Sequence, residues 1–292
     1  MKKKLCKMFG CVLFASLVCL LTPSVAKAAV KNLPATTNSG TLSGEVDMDH
    51  DGKADSIRIY ISKDCDGYAT HLTMTMNGKP VYSPKVTDLY CYMFSAKYFK
   101  LANNNQEFIQ ITGLGMSDYM CFNQILTYDN QTGRMRCINS FANSPLYEKE
   151  ILSASKTKIV LNHYVQPAET GMIQWKLSYK YKNGKFVPVA SSTKTVKSKV
   201  ATMYKNKYSK YFAKNKFITA KKVTFYKKAG SKKAAFRVPK GKVVTLKKLT
   251  YSKKKIYLQF KYGKKRGYLR VNKANYNFDK PIFRDVNSRL AG

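Results

Sequence analysis

Four aspartates crowd into nine residues near the start of the chain, in the stretch DMDHDGKAD from position 47 to position 55. They stand at positions 1, 3, 5 and 9 of a loop and are Asp47, Asp49, Asp51 and Asp55. Gly52 permits a sharp bend, so alternate carboxylates converge on one point, where they and the carbonyl oxygen of Lys53 suit Ca²⁺. We predict a calcium ion that braces the loop rather than one that does chemistry, because these oxygens suffice to close its coordination shell. The alternative is an acidic surface turn without an ion.

The residues after the loop distinguish between two kinds of calcium loop. Position 12 is Arg58 where an EF-hand has a bidentate Glu, and the stretch SIRIYI around it alternates as a strand instead of a helix. The loop resembles the calcium loops that open blade hairpins in FG-GAP and VCBS-type β-propeller repeats. Only one such loop is present, so the resemblance implies a β-propeller-like fragment or a related β-sheet domain over residues 29–193.

Alternation of apolar and polar residues predicts strands along almost the whole chain, and therefore an all-β protein. Two segments, 88–102 and 194–214, have ambiguous spacing and allow short helices. Trp175, the only tryptophan, lies in an alternating stretch and is expected in the core. Tight hairpin turns are expected at Asn77 with Gly78, at Gly133, and at Asn183 with Gly184.

Positive charge is distributed unevenly along the chain, which carries a formal net charge of +37. Residues 29–193 hold 17 Lys and Arg against 14 Asp and Glu, whereas residues 194–292 hold 31 against 2. The polar stretch VASSTKTVKSK, near position 190, is typical of a boundary between packed units. We therefore predict a β-rich domain over 29–193, a basic linker over 194–216, and a basic domain over 217–292 that meets a polyanion.

Residues 217–272 carry an ordered set of motifs, with a strand VTFY, the stretch PKGKVVTLKKL and the ending GKKRGYLRV. This order resembles bacterial SH3-like (SH3b) domains. The tail KPIFRDVNSRLAG is similar to the short Phe-containing tail of secreted proteins from Gram-positive gut bacteria. The resemblance implies a small SH3-like barrel that binds the cell wall. Tyr268 follows Gly267 where that family usually has Trp, and we predict that it is the aromatic ligand contact.

The excess of lysine in this domain goes beyond what solubility requires and costs self-repulsion. Outside a Gram-positive cell the expected polyanion is teichoic acid or peptidoglycan, and the alternatives are an anionic lipid surface or nucleic acid. Lys greatly outnumbers Arg here, which favours diffuse attraction over bidentate recognition. The predicted polyanion-binding residues are Lys227, Lys228, Lys232, Lys233, Lys253, Lys254, Lys255, Lys264, Lys265 and Arg266.

Residues 1–28 combine a Lys-rich start, an apolar stretch and the small residues of SVAKAA, the pattern of a cleaved signal peptide. The apolar stretch is shorter than the roughly 20 residues that span a bilayer, so we expect a secreted protein, extracellular or associated with the cell wall, without a membrane span. Four cysteines remain after cleavage: Cys65, Cys91, Cys121 and Cys137. They form two disulfides, in one of three pairings, or stay buried as free thiols. A hairpin centred on DNQTG sets Cys137 opposite Ile125, which disfavours a bridge from Cys121 to Cys137.

Local motifs of the common enzyme classes, such as Gly-x-Ser-x-Gly, the Walker loop or His-Glu-x-x-His, are absent from the sequence. The sequence therefore favours a non-enzymatic envelope-binding protein that displays residues 29–193 to a protein or glycan partner. The runner-up is a cell-wall hydrolase with catalytic groups in that domain. Its candidates are His71 or His163 beside a cysteine, or a carboxylate pair among Glu107, Asp118, Glu148 and Glu150.

Overall fold

The computed structural model describes residues 28–34, 40–103, 106–115, 120–142, 144–203, 207–271, 277 and 280–286. Within these ranges the chain forms 21 strands and two four-residue α-helices, so the predicted all-β class is confirmed. The predicted signal segment 1–28 lies outside the described residues except for its last position. No helix in the described ranges is long and apolar enough to cross a membrane.

The first sheet is a four-stranded antiparallel meander in chain order. Its strands are β2 (Leu42–Val46), β3 (Asp55–Lys63), β4 (Ala69–Met76) and β5 (Lys79–Tyr82). The turn between β4 and β5 has φ of 52° at Asn77 and 80° at Gly78, which confirms the predicted tight hairpin. The β2–β3 connection is the aspartate loop.

A second antiparallel sheet runs in the order β1-β6-β7-β8-β9. Its strands are β1 (Ala29–Leu33), β6 (Met93–Lys100), β7 (Glu107–Leu114), β8 (Met120–Asp129) and β9 (Arg134–Ser140). The segment 88–102, for which helix was an option, is therefore mainly strand, because β6 is paired on both edges by β1 and β7. Only Thr87–Leu89 forms a short 3₁₀ turn.

The third sheet continues the meander pattern. It consists of β10 (Glu148–Ala154), β11 (Lys158–Val165), β12 (Ile173–Lys182) and β13 (Lys185–Pro188). The β12–β13 turn has positive φ at Asn183 and Gly184, as the sequence predicted. The short β15 (Lys197–Ser198) pairs with β12 from within the segment 194–216.

The fourth sheet has seven strands in the order β14-β19-β20-β21-β17-β18, and β16 also pairs with β19. They are β14 (Ser192–Thr193), β16 (Lys216–Ile218), β17 (Val223–Tyr226), β18 (Ala234–Val238), β19 (Val243–Ser252), β20 (Lys255–Tyr262) and β21 (Lys265–Arg270). The pairings of the described strands form an open path and not the closed ring of a barrel. Two helices, α1 (Val200–Met203) and α2 (Ser209–Phe212), lie between β15 and β16.

Two clusters of buried apolar side chains hold the sheets together. One lies between the first and second sheets and includes Ile59, Met74 and Ile111. The other reaches from residue 99 to residue 286 without a break at position 193, and it joins Trp175 of the third sheet to Phe260 of the fourth. Trp175 is fully buried, as predicted. The third and fourth sheets therefore share one core, and the strand pairs β14–β19 and β12–β15 cross between the segments on either side of position 193.

The cysteines follow neither predicted pattern. Cys91, in the segment before β6, and Cys121 of β8 form one disulfide with their Cα atoms 6.3 Å apart, while Cys65 and Cys137 are exposed free thiols. Cys137 lies opposite Leu126 and not Ile125, because four residues form the β8–β9 turn and Asp129 pairs with Arg134. The prediction that Cys121 and Cys137 are not bridged is confirmed.

Candidate functional site

The aspartate loop brings three carboxylates together between β2 and β3. Single oxygens of Asp47, Asp49 and Asp55 all lie within 4.8 Å of one another. Asp55 is the first residue of β3 and is buried, which fixes one member of the group in the sheet. The bend that brings the other two back to it passes through positive φ at His50 (67°) and Gly52 (86°).

Hydrogen bonds from inside and outside the loop hold this arrangement. Asn77, in the β4–β5 turn, donates to Oδ1 of Asp55 over 2.6 Å, and the amide of Met48 donates to Oδ2 over 2.8 Å. Asn130, in the β8–β9 turn, donates to the backbone oxygen of Asp49 over 3.0 Å. The loop therefore ties two hairpins from different sheets, and neither asparagine was identified from the sequence, because each lies far from the loop along the chain.

The other two predicted ligand residues lie on the exposed side of the loop. Oδ1 of Asp51 accepts the amide of Lys53 over 2.7 Å, and the amide of Asp51 donates to Oδ1 of Asp49 over 3.1 Å. Asp51 is thus not part of the group of three. Oδ1 of Asp47 is buried and accepts no hydrogen bond from the described residues, which leaves a strong acceptor unsatisfied.

The negative charge of the loop affects two nearby tyrosines. Burial is the main cause that raises the pKa of Tyr128 above its ordinary value, and Asp49 and Asp55 add to it. Burial also raises the pKa of Tyr98, with smaller contributions from Glu107 and Asp47. Both raised pKa values disfavour the phenolate form of these tyrosines, as expected where carboxylates already concentrate negative charge.

The predicted polyanion-binding residues form an exposed set at three hairpin turns of the fourth sheet. The β17–β18 turn carries four of them, the β19–β20 turn and the start of β20 carry three, and the β20–β21 turn and the start of β21 carry three. Their exposure leaves the ammonium groups hydrated, so their attraction for an anion is long-range and sensitive to salt.

A cavity of about 440 Å³ lies beside two of these turns and is called here the tyrosine pocket. Three tyrosines line it, and so do four cationic side chains and two small residues of the β17–β18 turn. The tyrosines are Tyr226, Tyr257 and Tyr268; the cations are Lys228, Lys232, Lys255 and Arg270; the small residues are Gly230 and Ser231. None of these described lining residues is an Asp or a Glu, so the pocket is positive with an aromatic wall.

Strand register builds this wall. Tyr226 of β17 is the direct partner of Tyr268 of β21, and Tyr257 of β20 is the direct partner of Arg270. Tyr268 and Arg270 are two residues apart on one strand and so share a face. The hydroxyl of Tyr268 accepts the side-chain amide of Gln259 over 3.1 Å, which orients the phenol.

Sequence reasoning found part of this pocket and missed part of it. Lys228, Lys232, Lys255 and Tyr268 were predicted and line it together, whereas the other seven predicted residues do not line it. Arg270 was missed, although its Nε is buried and makes no hydrogen bond to the described residues. The available signal was its spacing of two from Tyr268, which puts both on one face of a strand.

The residues proposed for catalysis do not assemble into a cysteine–histidine pair. His163 is fully buried, and burial lowers its pKa to about 4. Within the described chain neither His163 nor the exposed His71 hydrogen-bonds a cysteine. Asp118 lies outside the described residues. Of the other carboxylates, Glu107 pairs with Lys100 over 2.6 Å and Glu150 with Lys97 over 2.8 Å.

Comparisons of the chain with protein-family models, with curated proteins and with solved structures find no match. The function is therefore inferred from the chemistry of the residues themselves.

Proposed function

We propose that this protein is an exported, non-enzymatic binding protein that attaches to an anionic cell-wall polymer, teichoic acid or peptidoglycan, through its basic fourth sheet. The observation that carries the proposal is the tyrosine pocket, in which three phenol rings stand among four cations, with no carboxylate among the described lining residues. The likeness of residues 217–272 to SH3b domains points the same way. Residues 29–193 are then displayed at the envelope to a further protein or glycan partner.

Two kinds of attraction combine in this proposal. The exposed lysines of the three turns supply a diffuse field that gathers a polyanion and weakens as salt rises. The pocket supplies local contacts: the Arg270 guanidinium is suited to grip a phosphate or carboxylate with two hydrogen bonds, and the tyrosine rings offer flat apolar faces to the adjoining polyol or sugar. The lysines therefore raise the rate of association with the polymer and the avidity for it, while the pocket makes binding selective for the polymer's chemistry.

The aspartate loop is proposed to bind Ca²⁺ in a bracing role. Asp47, Asp49 and Asp55 supply converging carboxylates, and the orphan Oδ1 of Asp47 is a ready ligand atom. Asp51 and the carbonyl of Lys53 complete the set that the spacing predicts. Because Asn77 and Asn130 tie this loop to two other hairpins, an ion here stabilises the contact between the first and second sheets.

A pull-down of the mature protein on purified Gram-positive walls tests the attachment. Binding should fall with rising salt and should drop sharply on walls stripped of teichoic acid if that polymer is the ligand. Tyr268→Ala with Arg270→Gln should weaken binding at least tenfold. Lys264→Gln, which removes the same single charge outside the pocket, should weaken it less than threefold. The proposal fails if native protein binds neither wall preparation, or if both variants weaken binding equally.

Thermal unfolding in Ca²⁺ and in EDTA tests the metal site separately. Ca²⁺ should raise Tm of the native protein and should leave Asp47→Asn unchanged. Asp64→Asn is the matched control, because it makes the same substitution at an aspartate of another turn, which accepts the amides of Asp66 and Tyr68 but belongs to no carboxylate cluster among the described residues. A Tm that does not respond to Ca²⁺ would show that the loop is an acidic turn.

One observation favours a second candidate function, the wall hydrolase. Burial raises the pKa of Glu148 above its ordinary value, as a general acid requires. Incubation of mature protein with walls should then release soluble fragments, and Glu148→Gln should abolish the release. If no soluble wall fragments are released, the binding proposal is favoured over the hydrolase. If duplex DNA competes fully with the wall for the protein, nucleic acid is favoured as the polyanion.

A further inference from the structure

The outer face of the third sheet, opposite the face that carries Trp175, is a second basic surface. Residues of β12 alternate between the two faces: its odd-numbered residues from 173 to 179 are buried, and its three lysines are exposed. Strand register adds one lysine each from β11, β13 and β15 to the outer face. The set is called here the lysine face and consists of Lys158, Lys176, Lys180, Lys182, Lys185 and Lys197, all exposed.

Two pairs of these lysines stand directly opposite each other on neighbouring strands. Lys158 of β11 is the partner of Lys180 of β12, and Lys182 of β12 is the partner of Lys185 of β13. Directly opposed side chains have Cβ atoms about 4.5–5.5 Å apart, and like charges at that spacing destabilise a sheet. An arrangement that costs stability in the free protein indicates a ligand that neutralises it.

Carboxylates of the surrounding chain do not neutralise this charge. Residues 144–203 contain three of them, of which Glu148 and Glu169 are at most 3% exposed and Glu150 pairs with Lys97. None of the six ammonium groups of the lysine face makes an ion pair or a hydrogen bond with another described residue. The near balance of charge over residues 29–193 therefore hides a separation, because the exposed aspartates that the structure describes there lie in turns of the first sheet.

We propose that the lysine face is a second contact surface for teichoic acid, which the third sheet holds in addition to the contacts of the fourth. This inference rests on the wall attachment proposed above, and it concerns a surface that shares no residue with the tyrosine pocket. Exposed lysines on an open sheet act as point charges, which bind phosphate without a shaped pocket. Lys176 and Lys182, six residues apart on one strand, lie about 20 Å apart, so the ligand must carry anions over a comparable length.

The chemistry of teichoic acid fits this face better than that of peptidoglycan. Teichoic acid carries its phosphates as a continuous line of charge along a flexible chain, whereas the carboxylates of peptidoglycan lie on short peptides of a cross-linked network. The shared core of the third and fourth sheets fixes the lysine face relative to the basic turns. A polymer chain long enough to reach both surfaces is then held at one while it binds the other, which raises avidity.

Titration calorimetry of the mature protein with purified teichoic acid, at several salt concentrations, tests this surface. The lysine-face variant removes both opposed pairs and combines Lys158→Gln, Lys180→Gln, Lys182→Gln and Lys185→Gln. It should bind teichoic acid at least fivefold more weakly than native protein, and its affinity should depend less steeply on salt, because fewer counterions are released. It should keep the native Tm or exceed it at low salt, since the like-charge pairs are gone.

A control variant removes the same amount of charge elsewhere. Four exposed cations of the first and second sheets serve for it: Arg58→Gln, Lys79→Gln, Arg134→Gln and Arg136→Gln. The control variant has the same net charge as the lysine-face variant and should weaken teichoic acid binding less than twofold. The comparison therefore separates a local surface from the general attraction of a basic protein for a polyanion.

Three results would overturn the inference. Equal teichoic acid affinity in the lysine-face variant and the control variant would do so, and would leave the wall attachment through the fourth sheet standing. If the lysine-face variant loses binding to phosphatidylglycerol vesicles but keeps its affinity for teichoic acid, the face belongs to a lipid surface instead. If native protein fails to bind teichoic acid, the inference is wrong, and the proposed function is also wrong only if native protein fails to bind walls stripped of that polymer.

Discussion

Acidification is expected to destabilise the fold through His163. This side chain is fully buried, and burial lowers its pKa to about 4 from an ordinary value of 6.5, against the opposing effect of the Leu146 carbonyl. Below pH 6.5 the unfolded chain binds a proton that the folded protein does not take up until near pH 4. The stabilisation is therefore complete above pH 6.5, and it is lost as the pH falls to about 4. Its size is about 3 kcal/mol.

Urea unfolding at several pH values from 7 to 4 measures this loss. The free energy of unfolding of native protein, minus that of His163→Asn, should shrink by about 3 kcal/mol over that interval. Glu148 faces His163 and acts in the opposite direction, because its raised pKa adds stability at low pH that is lost as the pH rises. A parallel series on Glu148→Gln removes that contribution. A difference between native and His163→Asn that stays constant from pH 7 to 4 would refute the reasoning.

Three further changes should lower the free energy of unfolding in urea. Gly171→Ala should cost about 3 kcal/mol, because a Cβ there collides with the backbone oxygen of Val286 and because φ is +63°. Reduction of the Cys91–Cys121 disulfide, which spans 30 residues, should cost about 3–4 kcal/mol. Gln110→Leu should cost about 3 kcal/mol, since its buried amide joins β7 to the backbone of β10 through bonds of 2.7 and 2.8 Å.

Each of these has a control in the same chain. Gly184→Ala places a Cβ where no atom lies within 4 Å, at φ of +75°, so it should show the backbone strain alone, about 1 kcal/mol. The double change Cys65→Ser with Cys137→Ser, at exposed free thiols, should leave stability and its response to reductant unchanged. Gln131→Leu, in an exposed turn, should cost less than about 0.5 kcal/mol. If a variant and its control lose the same free energy of unfolding, the contact assigned to that variant does not stabilise the fold as stated.

Features that depend on residues close together in the chain could be predicted from the sequence. Alternation predicted the strands, because the period of two is a property of the extended backbone. The Asn-Gly turns at 77–78 and 183–184 were predicted because both positions need positive φ. The aspartate spacing likewise predicted a converging group, and Asp47, Asp49 and Asp55 do converge through the bend at His50 and Gly52, whereas Asp51, which was also predicted to converge, lies outside the group of three.

Features that depend on which strands become neighbours could not be predicted from the sequence. The Cys91–Cys121 bridge, the ties of Asn77 and Asn130 to the aspartate loop, and the pairing of Tyr226 with Tyr268 all join residues that lie between 22 and 81 positions apart in the chain. The alignment of Glu148, His163 and Trp175 as direct cross-strand partners likewise required β10, β11 and β12 to pair in one register. Local propensity fixes where a strand begins and ends. Strand pairing and register follow instead from the burial of one shared core, and a register shift of one residue would turn every such side chain to the opposite face of the sheet.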